Sequence, residues 1–362
     1  MNHMKTCSVC SKKFTIRFSY QVQRTAEEII YFCSQSCQER HLRAEQLNTC
    51  DCCGTSFELL YAYQQMNLDG VTHYFCSEAC RRDTLAEQAK RQRSMKRIAV
   101  LNQKGGTGKT TTSVNISAAL AKLGQRVLLI DVDAQSNVGV SLGLTSPRTI
   151  SDILLGHVHP TDCIVNVSEN FDAIVSNSSL SSVETDLAWT EEGRNLILTE
   201  QMAPISNYDV VILDCSPSLS LLNQNTLTYA DHILIPFSCD YLSLVGVRNI
   251  MKTVSKINEV LLSQVNVLGV VPTFYGLSEQ CTTETMASLE AFFKDKVLHP
   301  IRVDPALRQA PMHQQTIFEY APKSDGAHDY QALARQLLRS LQLDAPAPRS
   351  PRKPKRQHRR PL

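Results

Sequence analysis

Hydrophobic residues fall along this chain in short runs whose character changes near residue 97. Arg97-Ile-Ala-Val-Leu-Asn102 is an apolar run of strand type, followed at once by a glycine-rich turn. Thr110 to Leu123 then carries apolar residues at helical spacing, with Val114, Ala118 and Ala121 on one face. Gln125-Arg-Val-Leu-Leu-Ile-Asp-Val-Asp-Ala-Gln135 and Tyr208-Asp-Val-Val-Ile-Leu-Asp-Cys-Ser-Pro-Ser218 are continuous apolar runs that end in acidic residues. Unbroken runs of this kind predict strands covered on both faces. Weaker apolar runs follow at 231–236 and 267–273. Strand and helix in alternation predict an α/β domain with a doubly wound, mostly parallel sheet.

The first 80 residues have no such pattern and are organised by cysteine. Shifting the sequence by 43 positions superimposes Cys7-Ser-Val-Cys10 on Cys50-Asp-Cys-Cys53, and Tyr31-Phe-Cys-Ser-Gln-Ser-Cys37 on Tyr74-Phe-Cys-Ser-Glu-Ala-Cys80. Each copy reads C-x2-C, 22 residues, C-x3-C, so Cys7, Cys10, Cys33 and Cys37, and again Cys50, Cys53, Cys76 and Cys80, can converge on one zinc ion each. The second pair of each copy opens a short helix, expected at 34–42 and 77–88, whose N-terminus favours thiolate. Units this short need metal to fold. An iron–sulfur cluster is the lesser alternative. Cys52 has no counterpart in the first copy and reads as a bystander; Cys163, Cys215, Cys239 and Cys281 are scattered and read as core residues.

Composition narrows the class further. The chain has 362 residues, 43% hydrophobic and 20% charged, which suits a soluble protein of two units and excludes a disordered chain. The absence of a long apolar run predicts a cytoplasmic protein without membrane association. The net charge of +2 is uneven. Residues 1–97 carry 14 Lys/Arg against 10 Asp/Glu, 98–344 carry 16 against 25, and 345–362 carry 7 against none. Basic ends on an acidic middle hint at a polyanion. The tail, with five prolines and one large apolar residue, cannot present a hydrophobic face to lipid and is expected to be disordered.

The order strand, glycine loop, helix is the order of a phosphate cradle. Gly105, Gly106, Thr107 and Gly108 turn backbone N–H groups inward, Lys109 reaches the β- and γ-phosphates of ATP, and Thr110, followed by Thr111, offers its hydroxyl to Mg²⁺. The residue before the glycines is Lys104, so the segment reads Lys104-Gly-Gly-Thr-Gly-Lys-Thr-Thr111. It resembles the deviant Walker A motif of the ParA/MinD family. That resemblance, covering about 98–343, implies an ATP-dependent homodimer in which Lys104 crosses to the partner's phosphates and stabilises transition-state charge. It further implies that Asp133 orients the attacking water, Asp131 lies near the metal, and Asp214 holds Mg²⁺ through water. Pro272 and Thr273, with the loop 303–306, would lie by the adenine ring. Ala134 stands where the family has proline, which loosens the switch backbone but leaves both carboxylates in place, and Ser216-Pro217 is a mild departure from the family's two prolines. The cysteine modules are similar to TRASH and MYM-type zinc fingers.

These readings divide the chain into a first zinc module (1–45), a second (46–82), a basic linker (83–96), a ParA-like ATPase domain (97–343) and a disordered basic tail (344–362). Within the family the tail argues against the membrane-bound members, and the lack of a further CxxC pair argues against the iron–sulfur reductases. The expected activity is ATP hydrolysis driving segregation or positioning of plasmid or chromosomal DNA. Nonspecific DNA, and a ParB-like activator or cargo adaptor, are the implied partners, with a nucleoid location. Arg248, Lys252 and Lys256, spaced four apart, are candidates for the DNA surface, or else a solvated helix face. No operator recognition is expected, because the cysteine modules stand where some partition proteins carry a helix-turn-helix. Two rival readings stay open: the same engine positioning a protein assembly, and a zinc-finger adaptor with a nucleotide switch.

Overall fold

The computed structural model describes residues 4–24, 29–45, 47–68, 71–189, 193–218, 220–239, 265–276 and 279–343, with isolated positions between 252 and 259. It falls into two compact units, Met1–Ala89 and Lys90–Leu362.

The larger unit is built on seven strands: β1 (Lys96–Val100), β2 (Val127–Val132), β3 (Val165–Ser168), β4 (Phe171–Ile174), β5 (Val210–Cys215), β6 (His232–Ser238) and β7 (Asn266–Thr273). Their order is β3-β4-β2-β5-β1-β6-β7, parallel throughout except for β3. This is the doubly wound sheet that the apolar runs predict. Every residue of β2 and β5 is buried. Successive residues face opposite sides, so Leu128 and Ile130 enter one core and Val127 and Leu129 the other. The register of β2 against β5 sets Asp131 directly beside Asp214 at the carboxyl edge, where doubly wound sheets bind ligands.

The helix Lys109–Lys122 departs from its expected single apolar face. Every residue from Thr112 to Ala121 is buried. The C-terminal helix Asp325–Ser340 packs beside it through Tyr330, Leu333 and Leu337. Its polar positions are satisfied there: Thr112 Oγ1 lies 3.2 Å from the Tyr330 hydroxyl, the Ile317 amide donates to Asn115 Oδ1 at 2.8 Å, and Ser117 Oγ donates to the Ser113 carbonyl at 2.7 Å. Hydrogen bonding makes burial of these polar groups tolerable.

The smaller unit repeats one design at the expected 43-residue offset. Each copy has a two-stranded ribbon bearing the first cysteine pair (Lys5–Thr6 with Lys13–Phe14; Leu47–Thr49 with Ser56–Glu58). A 3-10 turn follows (Ser19–Gln21; Ala62–Gln64), then a hairpin (Val22–Arg24 with Ile29–Tyr31; Gln65–Leu68 with Val71–Tyr74). A helix closes each copy, Gln35–Glu45 in the first and Glu78–Ser94 in the second. The second helix runs past its expected end and takes in 83–94, the segment assigned to a basic linker. Phe32 and Phe75 are fully buried.

A nucleotide site and two metal centres

At the end of β1, Asn102 is buried and fixes the start of the loop. Its Nδ2 donates to the Pro236 carbonyl at 2.7 Å, and its Oδ1 accepts the Lys104 amide at 3.0 Å. Gly106 (φ 72°) and Gly108 (φ 81°) take left-handed conformations that a side chain would strain, and Gly108 caps the helix that begins at Lys109. Gly105 and Gly106 face open space. Thr107 is buried, and its carbonyl accepts Thr273 Oγ1 at 3.0 Å, which ties the end of β7 to the loop. Lys109 arches back so that Nζ donates to the Lys104 carbonyl at 3.1 Å. Burial lowers the pKa of this ammonium, opposed by the charges of Asp214 and Asp133. Lys104 is half-buried at the rim of the loop, and Thr111 lies half-buried in the first helical turn.

Three carboxylates face the loop from the strand ends. Asp214 and Asp131 are fully buried, and Asp133 is nearly so. Asp214 accepts Thr110 Oγ1 at 2.7 Å and Ser113 Oγ at 2.8 Å. Asp131 accepts the amides of Asp133 (3.0 Å) and Val138 (3.1 Å). Burial, followed by the neighbouring Asp214 charge, pushes Asp131 up to about 8, and burial raises Asp214 to about 6. Two buried carboxyls in adjacent strands and a threonine hydroxyl make an all-oxygen donor set, which fits a hard divalent cation such as Mg²⁺. Asp133 bonds the Gln135 amide (3.0 Å), and its carbonyl accepts Ser176 Oγ at 2.5 Å, which steadies the strand-to-helix turn. Pro272 is buried in β7, with its carbonyl bonded by the Ile301 amide at 2.7 Å. Val303 follows on the same segment, its amide on the Tyr275 carbonyl, and the loop expected at 303–306 is shorter than that, since Asp304 caps a helix that starts at Pro305.

Asn102, Ser113 and Ser176 escaped the sequence reading. Ser113 had a local signal, since it lies one turn beyond Lys109 on a helix that must face the β5 carboxylate. The other two had none. Arg248 and Lys256 and the 241–246 segment lie outside the described residues, as does the 344–362 tail; Lys252 is helical and exposed.

In the smaller unit each set of four cysteines is gathered with sulfurs within 4.8 Å of one another. Cys10–Cys33 is 3.4 Å, Cys33–Cys37 3.6 Å, Cys53–Cys76 3.5 Å and Cys76–Cys80 3.7 Å. A tetrahedron with Zn–S bonds of about 2.3 Å has S···S edges of about 3.8 Å. The clusters therefore match zinc and are far too open for disulfides. Cys163, Cys215 and Cys239 are buried apart from them; the side chain of Cys281 lies outside the described residues. A glutamine, also missed from sequence, braces each centre. Gln21 Oε1 accepts the amides of Arg17 and Phe18 while its Nε2 donates to the Cys33 carbonyl, and Gln64 Oε1 accepts the amides of Leu60 and Tyr61.

A glycine loop between strand and helix, with a threonine bonded to a buried aspartate, defines a P-loop nucleotide hydrolase. Comparison with known proteins places it more closely. Residues 95–267 match the family described as "AAA domain", residues 200–355 the "4Fe-4S iron sulfur cluster binding proteins, NifH/frxC family", and residues 46–83 the "MYM-type Zinc finger with FCS sequence motif". The sporulation initiation inhibitor protein Soj of Bacillus subtilis is 36% identical over 245 residues, 66% of this chain and 97% of that protein. The chromosome-partitioning ATPase Soj of Thermus thermophilus is 34% identical over 68% of this chain and 97% of its own length. Among solved structures, the cobyrinic acid a,c-diamide synthase of Mycobacterium smegmatis with bound ATP analog and magnesium is 31% identical, with a TM-score of 0.58 over 69% of this chain and 96% of that one. The McdA–ATP complex of Cyanothece, at 23% identity, shares the fold with a TM-score of 0.62 over 70% and 99%. The chain belongs to the ParA/Soj family of P-loop ATPases, with a zinc-finger region at its N-terminus.

Proposed function

We propose that this protein is a DNA-segregation ATPase that dimerises on ATP, holds nonspecific DNA of the nucleoid, and lets go when a cargo-bound, ParB-like activator triggers hydrolysis. The observation that carries the reading is the composite site itself, set in a chain colinear with nearly the whole of the Soj relatives: Lys104 at the loop rim, Lys109 over the loop, and Asp131, Asp133 and Asp214 lined up at the strand ends.

In this reading the amides of 105–110 hold the phosphates, with the helix N-terminus adding its partial positive charge. Thr110, Asp214 and Asp131 hold Mg²⁺, which supplies neutralisation of phosphate charge when bound. Lys109 balances the β- and γ-phosphates, Lys104 reaches the partner's site, and Asp133 orients the attacking water. Pro272 and residues 303–306 flank the base. The zinc centres have a structural role here. Arg248, Lys252 and Lys256, together with the basic tail, are the proposed DNA contacts, giving salt-sensitive phosphate binding without base reading. Among the described residues no helix is long and apolar enough to cross a membrane.

The test is retention on nonspecific duplex DNA at one moderate salt concentration, with ATP and with ADP, for the wild type and Asp133→Ala. Retention with ATP alone, persisting in a variant that no longer turns ATP over, is the expected result. Equal retention with both nucleotides, or none, would sink the DNA reading and point to a protein cargo. Charge reversal at Arg248, Lys252 and Lys256 should weaken retention without altering nucleotide binding.

A further inference from the structure

The two zinc modules keep the same scaffold but not the same charge. Residues 1–43 hold seven Lys/Arg against three Asp/Glu, and residues 44–86 hold two against six. The exposed Lys12, Lys13, Arg17 and Arg24 of the first copy become Thr55, Ser56, Leu60 and Asn67 in the second, while Thr15 and Arg40 become Glu58 and Asp83. No lysine or arginine occurs between 44 and 80. Four thiolates and a zinc ion would add the same charge to each copy, so the opposition survives metal loading.

Both copies also present the same bare platform. Phe18 and Tyr20 stack at 5.6 Å and 11°, and Tyr61 and Tyr63 at 5.5 Å and 9°. Phe18 and Tyr61 are each 59% exposed. Among the described residues no ring contact joins the two platforms. The Gln21 and Gln64 amides clamp the turn beneath each pair, so the rings stand on a fixed backbone. In the second copy Leu59 and Leu60 extend the apolar surface, at 42% and 69% exposure. Exposed aromatic and leucine side chains on so small a unit mark an interaction site. A nucleic-acid partner would suit the cationic first platform but would be repelled by the acidic second, which carries the same rings. A partner that is itself half basic and half acidic suits both.

We propose that the zinc unit is a self-association device, in which the basic Phe18–Tyr20 platform of one chain docks on the acidic Tyr61–Tyr63 platform of a second copy. Each contact joins unlike patches, and two chains that use both halves reciprocally close a two-fold, isologous pair. It involves no nucleotide-site residue, so it is independent of the ATP-dependent dimer proposed above. Rings at the centre supply the contact area, and the opposed charges set orientation and reject like-with-like pairing.

Sedimentation velocity of the full-length, zinc-loaded, ADP-bound chain over a concentration series tests this. The expected result is self-association that weakens as salt rises and falls about 30-fold on Phe18→Ala or Tyr61→Ala. The double change Lys12→Glu with Lys13→Glu should sediment as a monomer, and so should Ser56→Lys with Glu58→Lys. An equimolar mixture of these two variants should regain a heterodimer. A zinc count of two per chain, read with a colorimetric chelator, confirms that each variant keeps its modules. A wild type that stays monomeric, association that survives both charge reversals, or a mixture that stays monomeric overturns the proposal. So does capture of a single-stranded oligonucleotide by the wild type that is lost in Phe18→Ala, which would assign the first platform to nucleic acid.

Discussion

The two units of this chain solve the same problem with different chemistry. In 90–362 the sheet strands β2 and β5 are buried along their whole length, and large apolar clusters lie on both sides. In the first zinc module the corresponding cluster is Cys7, Ile30, Phe32 and Cys37, and two of those four are metal ligands. The ATPase unit derives its stability from apolar area removed from water, the zinc modules from a coordination sphere. Repetition follows from that difference. A metal centre needs four sulfurs at fixed spacing and leaves the surface free, so one copy could become basic and the other acidic on one scaffold. A doubly wound core ties each strand to partners far along the chain and leaves less latitude.

The largest effect that sharpens this contrast is metal removal. Each zinc–thiolate site is worth about 10–16 kcal/mol of folding free energy near neutral pH. A strong chelator should therefore unfold 4–80 while the ATPase unit keeps its structure, as read by amide hydrogen exchange. Protection of Phe32 and Phe75 that persists after both zinc ions leave would break the comparison. The converse change is Leu213→Ala, at a fully buried position of β5. It should cost about 2–5 kcal/mol and lower the Tm of the ATPase unit, with zinc content unchanged.

How much of this was legible in sequence depended on how local each signal is. The glycine loop, Lys109 and Thr110 were readable because the phosphate cradle is written in consecutive residues, and the cysteine clusters because the duplication holds eight positions in register. The Asp131–Asp214 pairing was not, since it arises from β2–β5 register between segments far apart in the chain. Nor was the burial of the P-loop helix. Thr112 and Asn115 are polar, and the partners that let them be buried are Tyr330 and Ile317, some two hundred residues on. Gln21 and Gln64 were passed over although the 43-residue shift superimposes them, because glutamine is not a ligand and its role lies in backbone amides.

Those glutamines supply the third test. Gln21→Ala leaves the Arg17 and Phe18 amides without their acceptor, and should cost the first module about 1–3 kcal/mol. Gln64→Ala should do the same to the second. Faster zinc release to a chelator from the mutated module alone is the measurement. Equal release from both would mean that the two centres are not independent.

The smallest effect belongs to the ATPase unit and concerns acid. Asp329 is almost fully buried, which by itself would raise its carboxyl. Hydrogen bonds from the Arg302 guanidinium at 2.7 and 3.0 Å and from the Arg302 amide at 2.9 Å outweigh burial and hold it below the usual carboxylate range. A depressed folded-state value means that the pair stabilises the native state above the unfolded pKa of about 3.9 and loses that contribution as pH falls through the lower folded value. Arg302 is 44% exposed, so solvent screening limits the contribution to about 1 kcal/mol. Asp329→Asn should therefore lower the Tm slightly at neutral pH and converge with the wild type only below about pH 4. The zinc modules should have lost their metal before that point, because protons compete for thiolates at higher pH. An ATPase unit that unfolds together with the metal loss, at the same pH, would show that the two units do not stand on separate foundations.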